Sequence, residues 1–112
     1  MSIASTILEQ LGGNKFIVMT GCSHFVSDGN TLRMQIPRNA GKANRLWITL
    51  DGDDTYTMRF FYYRAGGIRV DQKKMEVKEI PTIEKDIYVI SGIYFDQLQE
   101  IFTEQTGMYT HL

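Results

Sequence analysis

The sequence predicts a single α+β domain over residues 1–112, with an antiparallel sheet of about five strands and with N- and C-terminal helices packed on one face. Three observations lead to this fold class. Apolar residues recur with helical spacing near both ends of the chain. They alternate with polar residues through the middle, and turn-forming residues interrupt that alternation at short intervals, as in strands joined by hairpins.

The N-terminal segment predicts two short helices. Residues 2–11 carry an apolar stripe with a 3.6-residue period that stops at two glycines. Residues 14–20 allow two interpretations. Asn14 in an N-cap position and Gly21 in a C-cap position favour a helix, which is preferred. Two consecutive β-branched residues within the same segment favour a strand.

The middle of the chain predicts two hairpins. The first joins strands at residues 24–27 and 31–37 through a turn in which Gly29 supplies a positive φ. The second joins strands at residues 44–50 and 55–64 through an aspartate-rich turn.

The C-terminal third predicts one more strand and a helix. Residues 68–80 alternate as a polar strand with Met75 and Val77 directed inward, and its charged residues suit a sheet edge. After Pro81 we expect a linker. Residues 92–107 then form an amphipathic helix.

Composition excludes several classes of protein. Twelve basic and thirteen acidic residues give a net charge of −1, which argues against a basic coating protein and against an acidic DNA mimic. A single cysteine, Cys22, allows no intrachain disulfide and no cysteine-built zinc site. The N-terminus resembles neither a signal peptide nor a membrane span, so we expect a cytoplasmic protein without a membrane partner.

The principal candidate site is one face of the central strands. Side chains alternate between the two faces of a strand, so aromatic and basic residues of neighbouring strands fall on the same side. We call this set the Trp47 face: Arg33, Arg45, Trp47, Arg59, Phe61 and Tyr63. Such a face can stack the bases of single-stranded nucleic acid. It can equally form a protein interface or consist of packed cross-strand pairs, and the absence of an RNA-recognition signature favours these.

A basic loop precedes the second hairpin and supplies a second candidate site. Its candidate phosphate contacts are Arg38, Asn39, Lys42 and Asn44. The same residue types are common in loops that are simply solvated.

No other motif indicates catalysis or a cofactor. The aspartates of residues 51–54 suit a hairpin turn and do not have the spacing of a calcium-binding loop. Cys22, His24 and His111 lack the partner signature of an activated nucleophile. Two isolated glycine pairs match neither phosphate-binding fingerprint. We therefore expect no enzyme, no metal site and no cofactor.

Three segments of the chain carry a family resemblance: LGGNKFIVMTG, SDGNTLRMQIPRNAGKANRLWITLDGDDTYTMRFF and DQLQEIFTEQTGMYTHL. They resemble a family of short proteins from phage-like and mobile genetic elements of Bacteroides-type gut bacteria. The resemblance covers nearly the whole chain except residues 68–89. It implies a small accessory protein of a mobile element and brings no catalytic residues with it.

The expected function is therefore non-enzymatic binding. A protein partner at the Trp47 face is favoured, either a second copy of the chain or a protein of the host or the element. The alternative is single-stranded DNA or RNA, with the basic loop on phosphates and Trp47, Phe61 or Tyr63 stacking bases.

Overall fold

The computed structural model describes residues 3–109, with the backbone alone at residue 71. In chain order the elements are α1 (Ile3–Leu11), α2 (Asn14–Thr20), β1 (Ser23–Asp28), β2 (Thr31–Gln35), β3 (Arg45–Leu50), β4 (Tyr56–Arg64), β5 (Gly67–Asp71), β6 (Glu76–Ile80), β7 (Ile83–Ile93) and α3 (Leu98–Thr106). A one-turn 3₁₀ helix, Phe95–Gln97, precedes α3.

Five strands form one antiparallel sheet in the order β1-β2-β3-β4-β7, and β5 and β6 form a separate two-stranded sheet. The predicted α+β class and the five-stranded antiparallel sheet are confirmed. Both predicted hairpins are present, and their turns leave the first four strands adjacent in chain order. The fifth strand of the sheet is β7, which the sequence did not predict.

The prediction of a single strand over residues 68–80 was wrong. This segment forms the β5–β6 hairpin, in which Val70 lies directly opposite Val77. A positive φ of 51° at Met75 marks the reversal. Met75 and Val77 are exposed rather than directed inward. Alternation alone does not reveal a reversal, because the same period-two pattern runs along both strands of a hairpin.

The prediction of a linker after Pro81 was also wrong. Residues 83–93 form β7, the longest strand among residues 3–109, which pairs with β4 along its length. Its register shifts at two points, and Gly92 has a positive φ of 72° beside one of them. The helix predicted over residues 92–107 therefore begins later, at Leu98, and ends at Gly107 in the left-handed conformation as expected.

The two N-terminal helices are present where the sequence places them. Residues 14–20 are helical, which removes the strand alternative. Gly13 rather than Asn14 occupies the N-cap position, with a φ of 60° and no side-chain cap. Gly21 adopts the left-handed conformation and its N–H donates to the carbonyl of Ile17 at 2.9 Å, as a C-cap glycine does.

One cluster of buried apolar side chains joins all three helices to the sheet. Phe16 of α2 and Phe102 of α3 meet edge to face within it, with ring centroids 5.0 Å apart. The members from α1 are Ala4, Ile7 and Leu11, and those from β2, β3 and β4 are Leu32, Met34, Leu46, Ile48, Tyr56, Met58 and Phe60. On β2 and β3 these residues alternate with those of the Trp47 face. No helix in residues 3–109 is long and apolar enough to span a membrane.

Candidate interaction surface

The Trp47 face is centred on a row of side chains that crosses the whole sheet. Trp47 of β3 lies opposite Arg33 of β2 and Arg59 of β4. Val26 of β1 and Val89 of β7 continue the row to both edges of the sheet. The β3–β4 hairpin and its neighbouring strands therefore bring together the arginines and aromatic residues that the alternation of side chains predicted to share one face.

Two arginines cover the central aromatic rings of this face. The Cζ of Arg33 lies 4.2 Å from the ring centroid of Trp47, and the Cζ of Arg59 lies 4.1 Å from that of Phe61 and 5.3 Å from that of Trp47. The rings of Trp47 and Phe61 meet edge to face at 5.2 Å. Phe61 is 2% exposed although it lies outside the cluster that joins the helices to the sheet. Its own strand neighbours therefore remove it from water.

Each covering arginine is also paired with carboxylates. The Nε of Arg59 donates to Asp86 at 2.7 Å and its Nη2 donates to Glu84 at 3.2 Å. Arg33 forms an ion pair with Asp28 on the neighbouring strand. Glu84 and Asp86 are absent from the predicted site because the sequence predicts a linker after Pro81.

Arg45 differs from the other two arginines. Its Nη1 donates to the carbonyl of Asn44 at 3.0 Å and its Cζ lies 5.4 Å from the ring centroid of Tyr63. Within residues 3–109 it forms no ion pair. The side chain is half-buried. Its guanidinium thus has an aromatic neighbour but lacks the carboxylate that Arg33 and Arg59 each have.

A pocket opens beside Arg45 on the Trp47 face. Its volume is about 310 Å³, at the lower end of the range for ligand pockets. Its lining residues are Arg45, Trp47, Phe61, Tyr63 and Glu84. The carboxylate of Glu84 already accepts a hydrogen bond from Arg59, whereas the guanidinium of Arg45 has no ion pair within residues 3–109. The Arg45 end of the pocket therefore suits an anion, and the aromatic wall beside it suits an apolar group.

Hydroxyl groups border the Trp47 face on the side away from Arg45. Thr31 of β2 and Thr49 of β3 share a hydrogen bond of 2.9 Å between their Oγ1 atoms. Thr57 of β4 donates to Asp51 at 2.7 Å, and its Oγ1 lies 3.2 Å from the Oγ of Ser91 on β7. An apolar and arginine-rich centre with a polar rim is the usual anatomy of a protein interface.

The basic loop is held in place by its two asparagines. The Nδ2 of Asn39 donates to the carbonyls of Pro37 and Ala43, each at 2.8 Å. The side chain of Asn44 exchanges two hydrogen bonds with the backbone of Tyr63 and so continues the β3–β4 pairing. These amides are engaged by the backbone, which leaves the cations of the loop as its candidates for phosphate contact.

The loop also packs against the C-terminal end of α3. The N–H of Ala40 donates to the carbonyl of Thr106 at 3.2 Å, which satisfies one of the carbonyls that a helix end leaves free. Gly41 lies so close to the carbonyl of Gln105 that any side chain there would collide with it. The loop is thus fixed between the sheet and α3.

Arg38 and Lys42 are the exposed cations of this loop, and neither forms an ion pair in the part of the chain that the structure describes. They line a pocket of about 520 Å³ together with both asparagines and Tyr62. Tyr62 and Tyr63 are neighbours on β4 and point to opposite sides of the sheet. The two pockets share no lining residue, so the loop forms a site beside the Trp47 face rather than on it.

Cys22 and His24, which were considered for nucleophilic or metal chemistry, belong to no such site within residues 3–109. Cys22 is buried, and burial raises the pKa of its thiol despite a hydrogen bond with Thr20 that acts in the opposite direction. The exposed His24 contacts Ser23 through its Nδ1 at 2.9 Å. His111 lies outside the described residues. Among residues 3–109, no three His, Cys, Asp or Glu side chains are grouped so as to hold a metal ion.

The aspartates after β3 build the turn that the sequence predicted. Asp53 accepts hydrogen bonds from the Oγ1 and N–H of Thr55, at 2.6 and 3.3 Å, and these bonds lower the pKa of the Asp53 carboxyl. The N–H of Asp51 donates to the carbonyl of Thr55 at 2.8 Å and closes the turn.

Comparison of the chain with protein-family models, with curated proteins and with solved structures gives no match in any of the three. The interpretation of the Trp47 face therefore rests on its geometry.

Proposed function

We propose that the protein is a non-enzymatic binding module whose Trp47 face contacts a protein partner. The observation that carries this proposal is the arrangement of arginines over aromatic rings, each arginine with its own carboxylate. Base stacking requires open ring faces, and here Arg33 and Arg59 cover those of Trp47 and Phe61. Tryptophan, tyrosine and arginine are the residue types that contribute most to protein interfaces.

Arg45 indicates what the partner presents. A half-buried guanidinium without a carboxylate gains most from an anion that approaches it with two oxygens. The adjoining pocket of about 310 Å³ accepts one large apolar or aromatic side chain. The partner segment that fits both features carries an Asp or Glu close to an aromatic or large apolar residue.

Selection of peptides from a random displayed library on the immobilised protein tests this proposal. We expect the enriched peptides to share an acidic residue near an aromatic or large apolar one. Arg45→Ala weakens their binding by about tenfold or more, because it removes a charge-assisted contact. Trp47→Ala weakens it as well, and Arg45→Lys restores part of the loss.

The matched control is Arg69→Ala, which removes an exposed arginine from the separate β5–β6 hairpin. It leaves peptide binding unchanged. Enriched peptides without an acidic residue, or peptides that bind Arg45→Ala and Trp47→Ala as tightly as the wild type, would contradict the proposal.

A second candidate function is binding of single-stranded DNA or RNA, and the basic loop supports it. Arg38 and Lys42 are exposed and free of ion pairs within residues 3–109. Their pocket is large enough for a phosphate and its sugar. In this mode the loop grips phosphates, and a base reaches Trp47 only if Arg33 moves away. This displacement makes nucleic acid the less favoured partner.

The accessory role in a mobile element and the cytoplasmic location that the sequence suggests belong to the same proposal. Both are compatible with a small binding protein that acts on another protein.

A further inference from the structure

Tyr62 lies beside a pocket on the side of the sheet opposite the Trp47 face. It follows the buried Phe60 by two residues on β4, so alternation places its side chain on the side that the helices cover. It is half-buried and does not belong to the cluster that joins the helices to the sheet. There it lines the pocket of about 520 Å³ together with Arg38 and Lys42 of the basic loop. We call this cavity the Tyr62 pocket.

The ring of Tyr62 is not covered by an arginine, unlike the central rings of the Trp47 face. Among residues 3–109 no guanidinium and no other aromatic ring contacts it. Arg33 and Arg59, by contrast, cover the rings of Trp47 and Phe61. A free aromatic face beside a cavity can stack on a planar heterocycle such as a nucleotide base.

Four cations lie around Tyr62. Arg38 and Lys42 approach it from the loop. Lys85 of β7 is the direct cross-strand partner of Tyr62, with Cβ atoms about 5 Å apart, and Arg64 is two residues further along β4, about 7 Å away on the same side. All four cationic side chains are exposed, and none forms an ion pair in the part of the chain that the structure describes. Such a cluster creates a positive potential that attracts anions.

The carboxylates of β7 face away from this cluster. Glu84 and Asp86 flank Lys85 in the sequence, and both pair with Arg59 on the Trp47 face. The strand β4 has no acidic residue, and the carboxylates of α3 line a separate pocket. Alternation along β7 thus places its negative charges on one side of the sheet and its lysine on the other.

The loop holds Lys42 in a conformation that lysine rarely adopts. Its φ is 66°, in the left-handed region that glycine and asparagine favour. Gly41 packs against the carbonyl of Gln105, and Asn39 donates to the carbonyl of Ala43, so the backbone on both sides of Lys42 is fixed. Strain of this kind is concentrated at ligand-binding and active sites. A loop that is already fixed also loses less conformational entropy when a ligand binds.

We propose that the Tyr62 pocket binds a nucleotide. The base stacks on the ring of Tyr62, and the phosphates lie between Arg38 and Lys42, which form charge-assisted hydrogen bonds with the phosphate oxygens. Lys85 and Arg64 strengthen the positive potential around the ligand. The cavity of about 520 Å³ is within the range of small-molecule sites.

This site is independent of a protein partner at the Trp47 face, because the two lie on opposite sides of the sheet. It also differs from the binding of a nucleic-acid strand whose bases reach Trp47. In the Tyr62 pocket the stacking ring and the phosphate-binding cations come from one cavity, and Arg33 does not have to move.

An NMR titration of the isotope-labelled full chain with ADP, without divalent metal ions, tests the proposal. We expect the amide signals of the basic loop and of the end of β4 to shift, while the indole signal of Trp47 does not. Adenosine lacks the phosphates and inorganic pyrophosphate lacks the base, so each should bind about tenfold more weakly than ADP. Affinity for ADP should fall as the salt concentration rises.

Variants of the pocket separate binding from folding. Lys42→Asn should weaken ADP binding about tenfold through the loss of a charge-assisted hydrogen bond. It should not lower the melting temperature, since asparagine tolerates the left-handed conformation better than lysine does. Tyr62→Leu should also weaken binding, and circular dichroism checks that this variant is folded. Two controls should keep the wild-type affinity for ADP: Arg69→Ala, which removes an exposed cation from the β5–β6 hairpin, and Trp47→Ala.

Three results would overturn the proposal. The first is a spectrum that ADP at millimolar concentration leaves unchanged. The second is ADP binding that Lys42→Asn and Tyr62→Leu leave as tight as in the wild type, which would mean that the nucleotide binds elsewhere. The third is a shift of the same signals by single-stranded RNA but not by ADP, which would assign the pocket to a nucleic-acid strand. Pyrophosphate that binds as tightly as ADP would overturn the stacking role of Tyr62.

Discussion

Two surfaces of this protein carry apolar side chains outside the cluster that joins the helices to the sheet, and they differ in how water is kept from them. On the Trp47 face Phe61 is 2% exposed, whereas on the β5–β6 hairpin Val77 is 68% exposed. The Trp47 face lies within a five-stranded sheet, where a central residue has cross-strand neighbours on both sides. The hairpin has two strands, so each residue has such a neighbour on one side only.

Sheet width explains the difference. Trp47 receives long arginine side chains from the strands on both sides, and each guanidinium lies over an aromatic ring while it pairs with a carboxylate. Val77 has a direct cross-strand neighbour on one side only, Val70, whose short side chain covers little of it. The Trp47 face should therefore contribute to the stability of the monomer, and the exposed valines of the β5–β6 hairpin should contribute little to it.

The largest effect is expected when one apolar side chain on each surface is truncated and the two losses of stability are compared. Phe61→Ala should lower the free energy of unfolding by about 3–5 kcal/mol, because it empties a site from which water is excluded. Val77→Ala should change it by less than about 0.5 kcal/mol, because the side chain is already exposed in the monomer. Urea denaturation at low protein concentration measures both. Similar losses for the two variants would remove the distinction between the surfaces.

The second prediction compares an arginine of the Trp47 face with an arginine of the β5–β6 hairpin. Arg59→Met keeps much of the stem but removes two charge-assisted hydrogen bonds, and we expect a loss of about 1–2 kcal/mol, since the group is partly solvated. Arg69→Met, on the exposed hairpin, should stay within about 0.5 kcal/mol of the wild type. A double-mutant cycle of Arg59→Met with Asp86→Asn isolates the ion pair, and a coupling energy near zero would contradict its assigned role.

The smallest effect concerns salt. Raising sodium chloride from about 0.05 to 0.5 M should lower the free energy of unfolding of the wild type by less than about 1 kcal/mol. The arginine ion pairs of the Trp47 face are partly exposed to solvent, so dissolved salt weakens their attraction. Arg59→Met should show a smaller dependence than Arg69→Met. The reverse order, measured by denaturation at the two salt concentrations, would mean that the ion pairs of the Trp47 face are not the salt-sensitive ones.

Local sequence patterns predicted much of the sheet and the membership of the Trp47 face. Alternation around Trp47 is enough to group it with Arg59 and Phe61, because a hairpin fixes both the face and the register of adjacent strands. The turn at Gly29 and the helix end at Gly21 follow from local conformational preferences in the same way.

The parts that sequence patterns missed depend on long-range pairing. Asp86 and Glu84 are 27 and 25 residues from Arg59 in the sequence. Charged residues at these positions are typical of a linker, and only the pairing of β7 with β4 brings them next to that arginine. A charged side chain is tolerated in a strand where a cross-strand residue of opposite charge pairs with it, and the local periodicity of the sequence does not identify that residue. The asparagines of the basic loop illustrate a related limit, because an amide can donate to a ligand or to the backbone with equal ease.

Trp47 is the only tryptophan, so its fluorescence reports directly on the central claim that this face binds a protein. The measurement is a titration of the protein with a selected acidic peptide and, separately, with single-stranded DNA and RNA at low and high salt. We predict that the peptide changes the emission of Trp47 and that the oligonucleotides leave it unchanged even at low salt. Quenching by an oligonucleotide that weakens steeply as salt rises, together with no response to the peptide, would contradict the account.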